Sequence, residues 1–421
     1  MAQLRVLIVG ASIAGPTAAY WFARAGADVT VIERFSYLRQ GGQNVDIRTI
    51  GVTVMRKMRG MEAAVRDKAL PLEGISFVSA DGRPYGIIKA TGSPDQQSLV
   101  SEYEIFRGDL AQILFDMTRE NERITYIFGE QIHSMREEGD GPVTVEFSNT
   151  HQTATYDLVV ACDGANSRTR AMGLGCGVRD HVTSINSWAA YFSVQGDLLE
   201  GSKVGQAYSA VGGRFIAVGP DPSGVSRVTL MGINARDAHD SILPFREAVQ
   251  KGETELKKFV AQQFKGAGWK CDEIVQGMMK AQDFYAAEIV QVKAPCLYRG
   301  RFAMVGDAGY APGPTGAGTS LAIAGAYVLA GEISDHGGDL EAGLRAYQER
   351  MRPLIRDLQK IPPLVPDILA PQTAWGIRLR DAIFAFICRT RIMEISQRFF
   401  VNSFADAGKY DVPEYQWLES K

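Results

Sequence analysis

"LRVLIVGASIAGPTAAYWFARAG", residues 4–26, passes from an apolar run through a glycine turn into small and apolar residues at helical spacing. A continuous apolar run such as 4–9 suits a parallel strand covered on both faces. Gly10 to Gly15 then form the turn, and Gly26 stops the helix. "DVTVIER", residues 28–34, follows as a second strand and completes a strand-helix-strand unit of about 30 residues. The start of the chain therefore predicts a Rossmann-like α/β fold.

Within this unit "GASIAG" matches the spacing G-x-G-x-x-G at Gly10 and Gly15 and carries Ser12 at the middle position. Gly10 permits the tight turn and Gly15 the close packing of helix on strand. The amides of Ser12, Ile13 and Ala14 open the helix and suit a pyrophosphate. Glu33 ends the second strand 18 residues beyond Gly15, where a carboxylate accepts hydrogen bonds from ribose hydroxyls. Glu33 followed by Arg34 favours a free 2′-hydroxyl, so the expected ligand here is the adenosine of FAD or NAD.

The bulk properties exclude several alternatives. A chain of 421 residues, 46% apolar and 22% charged, has room for two domains and the composition of a folded globule. Its net charge of −3 offers no general attraction to nucleic acid. Five cysteines with no C-x-x-C spacing suggest neither a disulfide framework nor a zinc site, and five scattered histidines suggest no other metal. A reducing, cytoplasmic location is expected. "VLIVG" is too short for the core of a signal peptide. The most apolar later stretch, residues 381–400, contains Arg389, Arg391, Glu394 and Arg398, which argues for an amphipathic helix and against a membrane span.

Further along, "RGDLAQILFDMTRE" at 107–120 has helical periodicity, and "ITYIF" and "VTVEF" alternate as strands do. From 181 to 235 the period is two, in "SWAAYFSVQG", "GQAYSA", "GRFIAVGPDPSG" and "SRVTLMGI", which predicts an antiparallel sheet. One helix over 245–264 and a strand over 284–292 should complete that layer. The expected division assigns 1–72, 101–180 and 296–352 to a nucleotide-binding domain. Residues 73–100 and 181–295 form an inserted substrate domain, and 353–421 a C-terminal helical cap.

Two more turns end buried strands: "ACDGANSRTR" at 161–170 and "GDAGYAPGPTGAGTS" at 306–320. Together with "GASIAG", and in this order, they resemble the flavoprotein monooxygenases of the aromatic hydroxylase group, over residues 4–335. That family includes para-hydroxybenzoate hydroxylase, tetracycline-degrading monooxygenase and polyketide hydroxylases. The resemblance implies a glutathione-reductase-type FAD-binding domain with an inserted antiparallel-sheet substrate domain and a helical C-terminal segment. It also implies that Gly10, Ser12, Ile13, Ala14, Gly15, Glu33 and Arg34 hold the adenosine end of FAD. Arg107 would lie near the pyrophosphate and ribityl chain, Asp307 on a ribityl hydroxyl, and Asp163 near the flavin and a nicotinamide passage. "GGQNVDIR", 41–48, would pass beside the isoalloxazine, with Asp46 and Arg48 as contacts. Tyr310 stands where many members have histidine.

Physical chemistry supports the last turn independently. A helix starting near Thr319 directs free amides and partial positive charge at the loop before it, which suits an anionic reduced flavin. Pro312 and Pro314 stiffen that loop, while Gly313, Gly316 and Gly318 let its backbone lie flat on the ring, and the resemblance implies that Pro314, Gly316, Ala317 and Gly318 contact the cofactor.

The activity implied is hydroxylation of an aromatic or polycyclic small molecule through a C4a-hydroperoxyflavin, with NAD(P)H and O2 as co-substrates, in secondary metabolism or xenobiotic breakdown. Epoxidation with rearrangement, Baeyer-Villiger insertion and oxidative decarboxylation remain open, as does a non-catalytic FAD-fold binding protein. No second Rossmann site for a nicotinamide is evident, and the chain is expected to be a monomer or homodimer. Arg48, Tyr208 and Arg214 are the candidate catalytic residues, and Trp188, Tyr191, Phe192, Phe215 and Met231 the further candidates for the substrate wall.

Overall fold

The strand Arg5–Val9 is apolar from Val6 onward because both of its faces are covered there. Val6 and Ile8 enter one core, Leu7 and Val9 another. The structure, a computed structural model, describes residues 4–39, 42–89, 103–137, 139, 141–235, 241–361, 368–390 and 412–417. Six strands lie side by side in the order Tyr298–Arg299, Phe302–Met304, Leu158–Ala161, Arg5–Val9, Asp28–Glu33 and Ile124–Phe128. All neighbours are parallel except the first pair. The helices Ala14–Arg24 and Gly318–Asp335 cover one face. A three-stranded antiparallel sheet, Ile132–Glu137, Val143–Phe147 and Thr153–Tyr156, covers the other.

The second large layer is a seven-stranded sheet: Tyr285–Val292, Val182–Val194, Ser226–Ile233, Arg214–Pro220, Val204–Ala210, Gly74–Val78 and Pro84–Lys89. Its period-two segments put one face under helices, where Trp188, Phe192, Ile216 and Leu230 are buried. The single helix expected over 245–264 is two, Leu243–Lys251 and Glu253–Phe264. Gly252, at φ 98°, is the break, in a conformation a side chain disfavours. A third helix, Cys271–Lys280, joins the same layer through Cys271, Ile274 and Met278.

The boundary expected at 352/353 does not exist as a break: Pro353 lies inside the helix Leu340–Leu358. A proline removes one ladder hydrogen bond, and here burial of Met351, Leu354 and Ile355 carries the helix through. Nor is the tail one helical cap. Ala374–Arg389 lies on the strand Pro84–Lys89, where a Cβ on Gly86 would come within 2.2 Å of the Phe384 ring. Residues 412–417, non-helical, return to the six-stranded domain, with Trp417 4.7 Å from Trp21 between ring centroids. The part of the expected cap over 391–411 lies outside the described residues, as do Gly41 and residues 90–100. No helix among the described residues is long and apolar enough to cross a membrane.

A two-stranded antiparallel ribbon, Asn44–Asp46 with Glu104–Phe106, stands where the two layers meet. Arg227 of the seven-stranded sheet stacks on Phe106, 4.3 Å from its centroid, and Arg39 stacks on Tyr285 at 4.7 Å. The sheet face that carries Arg227 and Tyr285, covered by the helix Ala374–Arg389 at its Pro84–Lys89 edge, is thereby turned towards the nucleotide-binding domain.

Candidate functional site

At the first turn backbone packs on backbone. A Cβ on Gly10 would lie 2.7 Å from the Cys162 carbonyl oxygen, and one on Gly15 only 1.8 Å from that of Gly10. The helix Ala14–Arg24 begins at Ile13 with no side-chain cap and no acidic residue in its first turn. Its free amides and positive dipole end therefore remain available to an anion. Glu33 sits at the lip of this turn, accepting from Ala11 N at 3.0 Å and Phe35 N at 3.1 Å. Each of its oxygens keeps a second lone pair for a hydroxyl. Ser12 is half-buried, and Arg34 is exposed with its guanidinium over Phe35.

The cleft leads on to Arg107 and Asp307. Both are surrounded by protein, yet the Asp307 side chain keeps open surface. Among the described residues no hydrogen-bond partner meets either the Asp307 carboxylate or the Arg107 guanidinium. Burial raises the Asp307 carboxyl above the ordinary range, opposed by the charge of Arg107. Burial, with the like charge of Arg39, lowers Arg107, opposed by Tyr285, Asp307 and Glu33. The Gly318 Cα faces Asp307, whose Oδ1 would be 3.6 Å from a Cβ there. The carboxylate thus lies at the uncapped start of the helix Gly318–Asp335.

The loop before that helix is open at Pro314 and Gly316, while Ala317 is buried. Two glutamines hold it from behind. Gln291 Nε2 donates to the Pro312 carbonyl at 3.0 Å, and Gln359 Nε2 to that of Ala311 at 3.1 Å. Tyr310 points away from the cleft, its hydroxyl 3.2 Å from that of Tyr347 inside the core. Opposite the loop, Arg48 N donates to Ser320 Oγ at 2.8 Å, and the Arg48 side chain pairs with Asp46 at 2.8 Å. Gln43 Oε1, Asp46 Oδ1 and Thr315 Oγ1 are buried without a hydrogen-bond partner.

Asp163 answers to its own turn. Its carboxylate accepts from Ser167 Oγ at 2.5 Å, Thr169 Oγ1 at 2.9 Å and Thr169 N at 3.3 Å. Its oxygens fasten the start of the helix Arg168–Leu174, and its Cα lies 3.2 Å from where a Cβ on Gly10 would be, so the turn it holds adjoins the first glycine turn.

Two of the candidate catalytic residues are also corrected. Tyr208 faces the helices and donates to the Ala267 carbonyl at 2.7 Å. Arg214 reaches the carbonyls of Val211, at 2.7 Å, and Lys265, at 3.2 Å, closing the end of a helix. Trp188 and Phe192 belong to the same covered core. Strand alternation decides this, and the period alone does not say which face is covered. Phe215 and Met231, a register pair, lie with Tyr191 on the open face.

Sequence reasoning had no local signal for Arg170, Gln291, Gln359 or Ser320, which act on segments far away in the chain. Glu104 had one, an acid in a short apolar strand three residues before Arg107.

These features fit FAD. Glycine cradles a side chain would fill, two uncapped helix starts, an unpartnered acid and arginine, and three orphaned polar atoms lie along one path from Gly10 to Gly318. The model of the FAD binding domain family matches residues 3–360. FAD-dependent monooxygenase asL4 of Sarocladium schorii is 32% identical over 416 residues, covering 93% of this chain and 94% of the relative. The crystal structure of tetracycline destructase Tet(55) superposes with a TM-score of 0.76 at 28% identity, covering 98% of this chain and 99% of that one. Klebsiella pneumoniae HpxO, solved with FAD and uric acid, shares the fold at a TM-score of 0.71 and 20% identity, with 96% of each chain covered. The chain belongs to the FAD-dependent monooxygenases of the aromatic hydroxylase family.

Proposed function

We propose that this chain uses NADH or NADPH and O2 to hydroxylate an aromatic or polycyclic small molecule in a reducing, cytoplasmic setting. The observation that carries the reading is Asp307 and Arg107, which have no hydrogen-bond partner among the described residues, together with a sheet face that carries Tyr191, Phe215 and Met231. FAD, when bound, supplies the hydride acceptor and the oxygen-activating ring. Gly10 to Gly15 and Glu33 would hold its adenosine end, with Arg107 and Asp307 on the chain between its two ends. Asp46, Arg48 and the loop Pro314 to Gly318 would border the ring.

The helix start at Gly318 places positive potential where negative charge develops on reduction. The aromatic and aliphatic side chains of the open face exclude water and orient a flat substrate. Tet(55) is named for a polycyclic compound and HpxO was solved with a heteroaromatic one, which supports the same class here.

The test is product mass after incubating candidate polyphenols with holoenzyme, NAD(P)H and labelled oxygen. A gain of one labelled atom per product, matched by nucleotide oxidation, is expected. Nucleotide oxidation with no labelled product from any aromatic class would overturn the substrate assignment.

A further inference from the structure

In the ribbon Asn44–Asp46 with Glu104–Phe106, residues directly opposite share a face. Val45 and Ile105 point into the nucleotide-domain core. The other face carries Asn44, Asp46, Glu104 and Phe106. Asn44 and Glu104 line a cavity of about 180 Å³, and its far wall is the open sheet face, with Tyr191, Ala217, Arg227 and Thr229.

Asp46 and Glu104 are register partners, so two carboxylates occupy one patch. Their surroundings differ. Asp46 is ion-paired with Arg48 at 2.8 Å. Glu104 accepts from Asn44 Nδ2 at 2.9 Å and has no salt bridge among the described residues. The other charged groups facing the cavity are Arg227 and Asp283, and they are bonded to each other at 2.9 Å. Arg227 also binds Asp221 at 2.6 Å, and Tyr191 contributes a phenol. Burial and the charge of Asp46 push the Glu104 carboxyl up to about 7, against the weaker pull of Asn44 and Arg48.

We propose that Glu104, the register partner of Asp46, is the acid–base side chain of this cavity, taking up and releasing a proton around neutral pH. The role rests on the monooxygenase reading with a nicotinamide co-substrate. That reaction consumes a proton: R–H, O2, NAD(P)H and H⁺ give R–OH, NAD(P)⁺ and water. Glu104 supplies that proton to the hydroxide that leaves as water: the carboxyl O–H bond breaks, a new O–H bond forms on the hydroxide, the electron pair stays on the carboxylate, and solvent restores the proton before the next turnover. A carboxyl poised near neutrality is suited to giving up and regaining a proton in each turnover.

Infrared difference spectra of the purified holoenzyme, taken between about pH 5 and about pH 9, test the protonation. The expected result is a protonated-carboxyl band lost with a midpoint near neutrality. It should be absent from Glu104→Gln, and its midpoint should move to lower pH in Asp46→Asn. No such band in the wild type, or its persistence in Glu104→Gln, overturns the proposal.

Hydrogen peroxide release driven by NADH or NADPH without added substrate tests the role, since that reaction also takes up one proton. Glu104→Gln should lower it at least about tenfold and remove the limb of the pH profile near neutrality. An unchanged profile overturns the acid–base role. If the holoenzyme oxidises neither nucleotide, that role falls together with the co-substrate it relies on, and the infrared band alone decides whether Glu104 holds a proton.

Discussion

Arg170 Nη1 donates to the carbonyl oxygen of Ala308 at 2.8 Å, joining two turns whose residues are 138 apart in the chain. The same nitrogen donates to Ala165 O at 2.9 Å and Nη2 to Val178 O at 2.6 Å, with the side chain fully buried. Arg170→Ala would leave these carbonyls without a donor and open a cavity. We expect a loss of about 3–5 kcal/mol in urea unfolding and reduced flavin content. Arg170→Lys, which cannot span the same acceptors, should fall between the two.

Asp307 has no partner among the described residues in the cofactor-free chain, and burial disfavours its charge. Asp307→Asn should therefore raise the melting temperature of the apoprotein slightly. It should at the same time weaken FAD binding by about 1.5–3 kcal/mol, the range for a hydrogen bond to a charged group. Calorimetric titration of FAD into both apoproteins checks this, and equal affinities would remove the assigned contact.

Glu104 gives the stability a pH dependence of definite sign. Its carboxyl is raised from an ordinary 4.5 to about 7, so between those values the folded chain binds more protons than the unfolded one. This contribution is fully present below the lower value and is lost as pH rises through the upper, with a slope of at most ~1.4 kcal/mol per pH unit. Urea denaturation across that window should show the slope in the wild type and a flatter curve in Glu104→Gln.

The two glycines of the first turn make a contrasting pair with Ser12. Gly15→Ala forces a Cβ to within 1.8 Å of a backbone oxygen, and it should yield colourless, destabilised protein. Ser12→Gly removes no hydrogen bond found in the structure and should keep FAD, as judged by the flavin absorbance of the purified protein.

The face assignment of the substrate sheet is testable by two substitutions. Tyr208→Phe loses one hydrogen bond to Ala267, about 1 kcal/mol of stability, and should leave KM for substrate unchanged. Phe215→Ala, on the open face, should raise that KM at least several-fold with a smaller change in stability.

Much of this arrangement was legible along the chain. The strand Arg5–Val9, the glycine turn and the strand Asp28–Glu33 follow from apolar runs and punctuation, because a strand covered on both faces must be apolar on both. The three turns and their order carry the cofactor and the family. The substrate layer was readable as strands but not as faces. Period two separates alternate residues without naming the covered set, so Tyr208 and Arg214 were assigned to the wrong side. Gly252 hid a break because glycine also occurs inside helices.

Local sequence thus determined the turns, since glycine geometry and helix starts depend on neighbouring residues. Tertiary structure alone decided which long-range pairs complete them: Arg170 with Ala308, Gln291 with Pro312, Arg48 with Ser320, and Glu104 opposite Asp46. The physical reason is that a buried charge or amide is defined by the groups that replace its water, and in this chain those groups arrive from segments tens to hundreds of residues away.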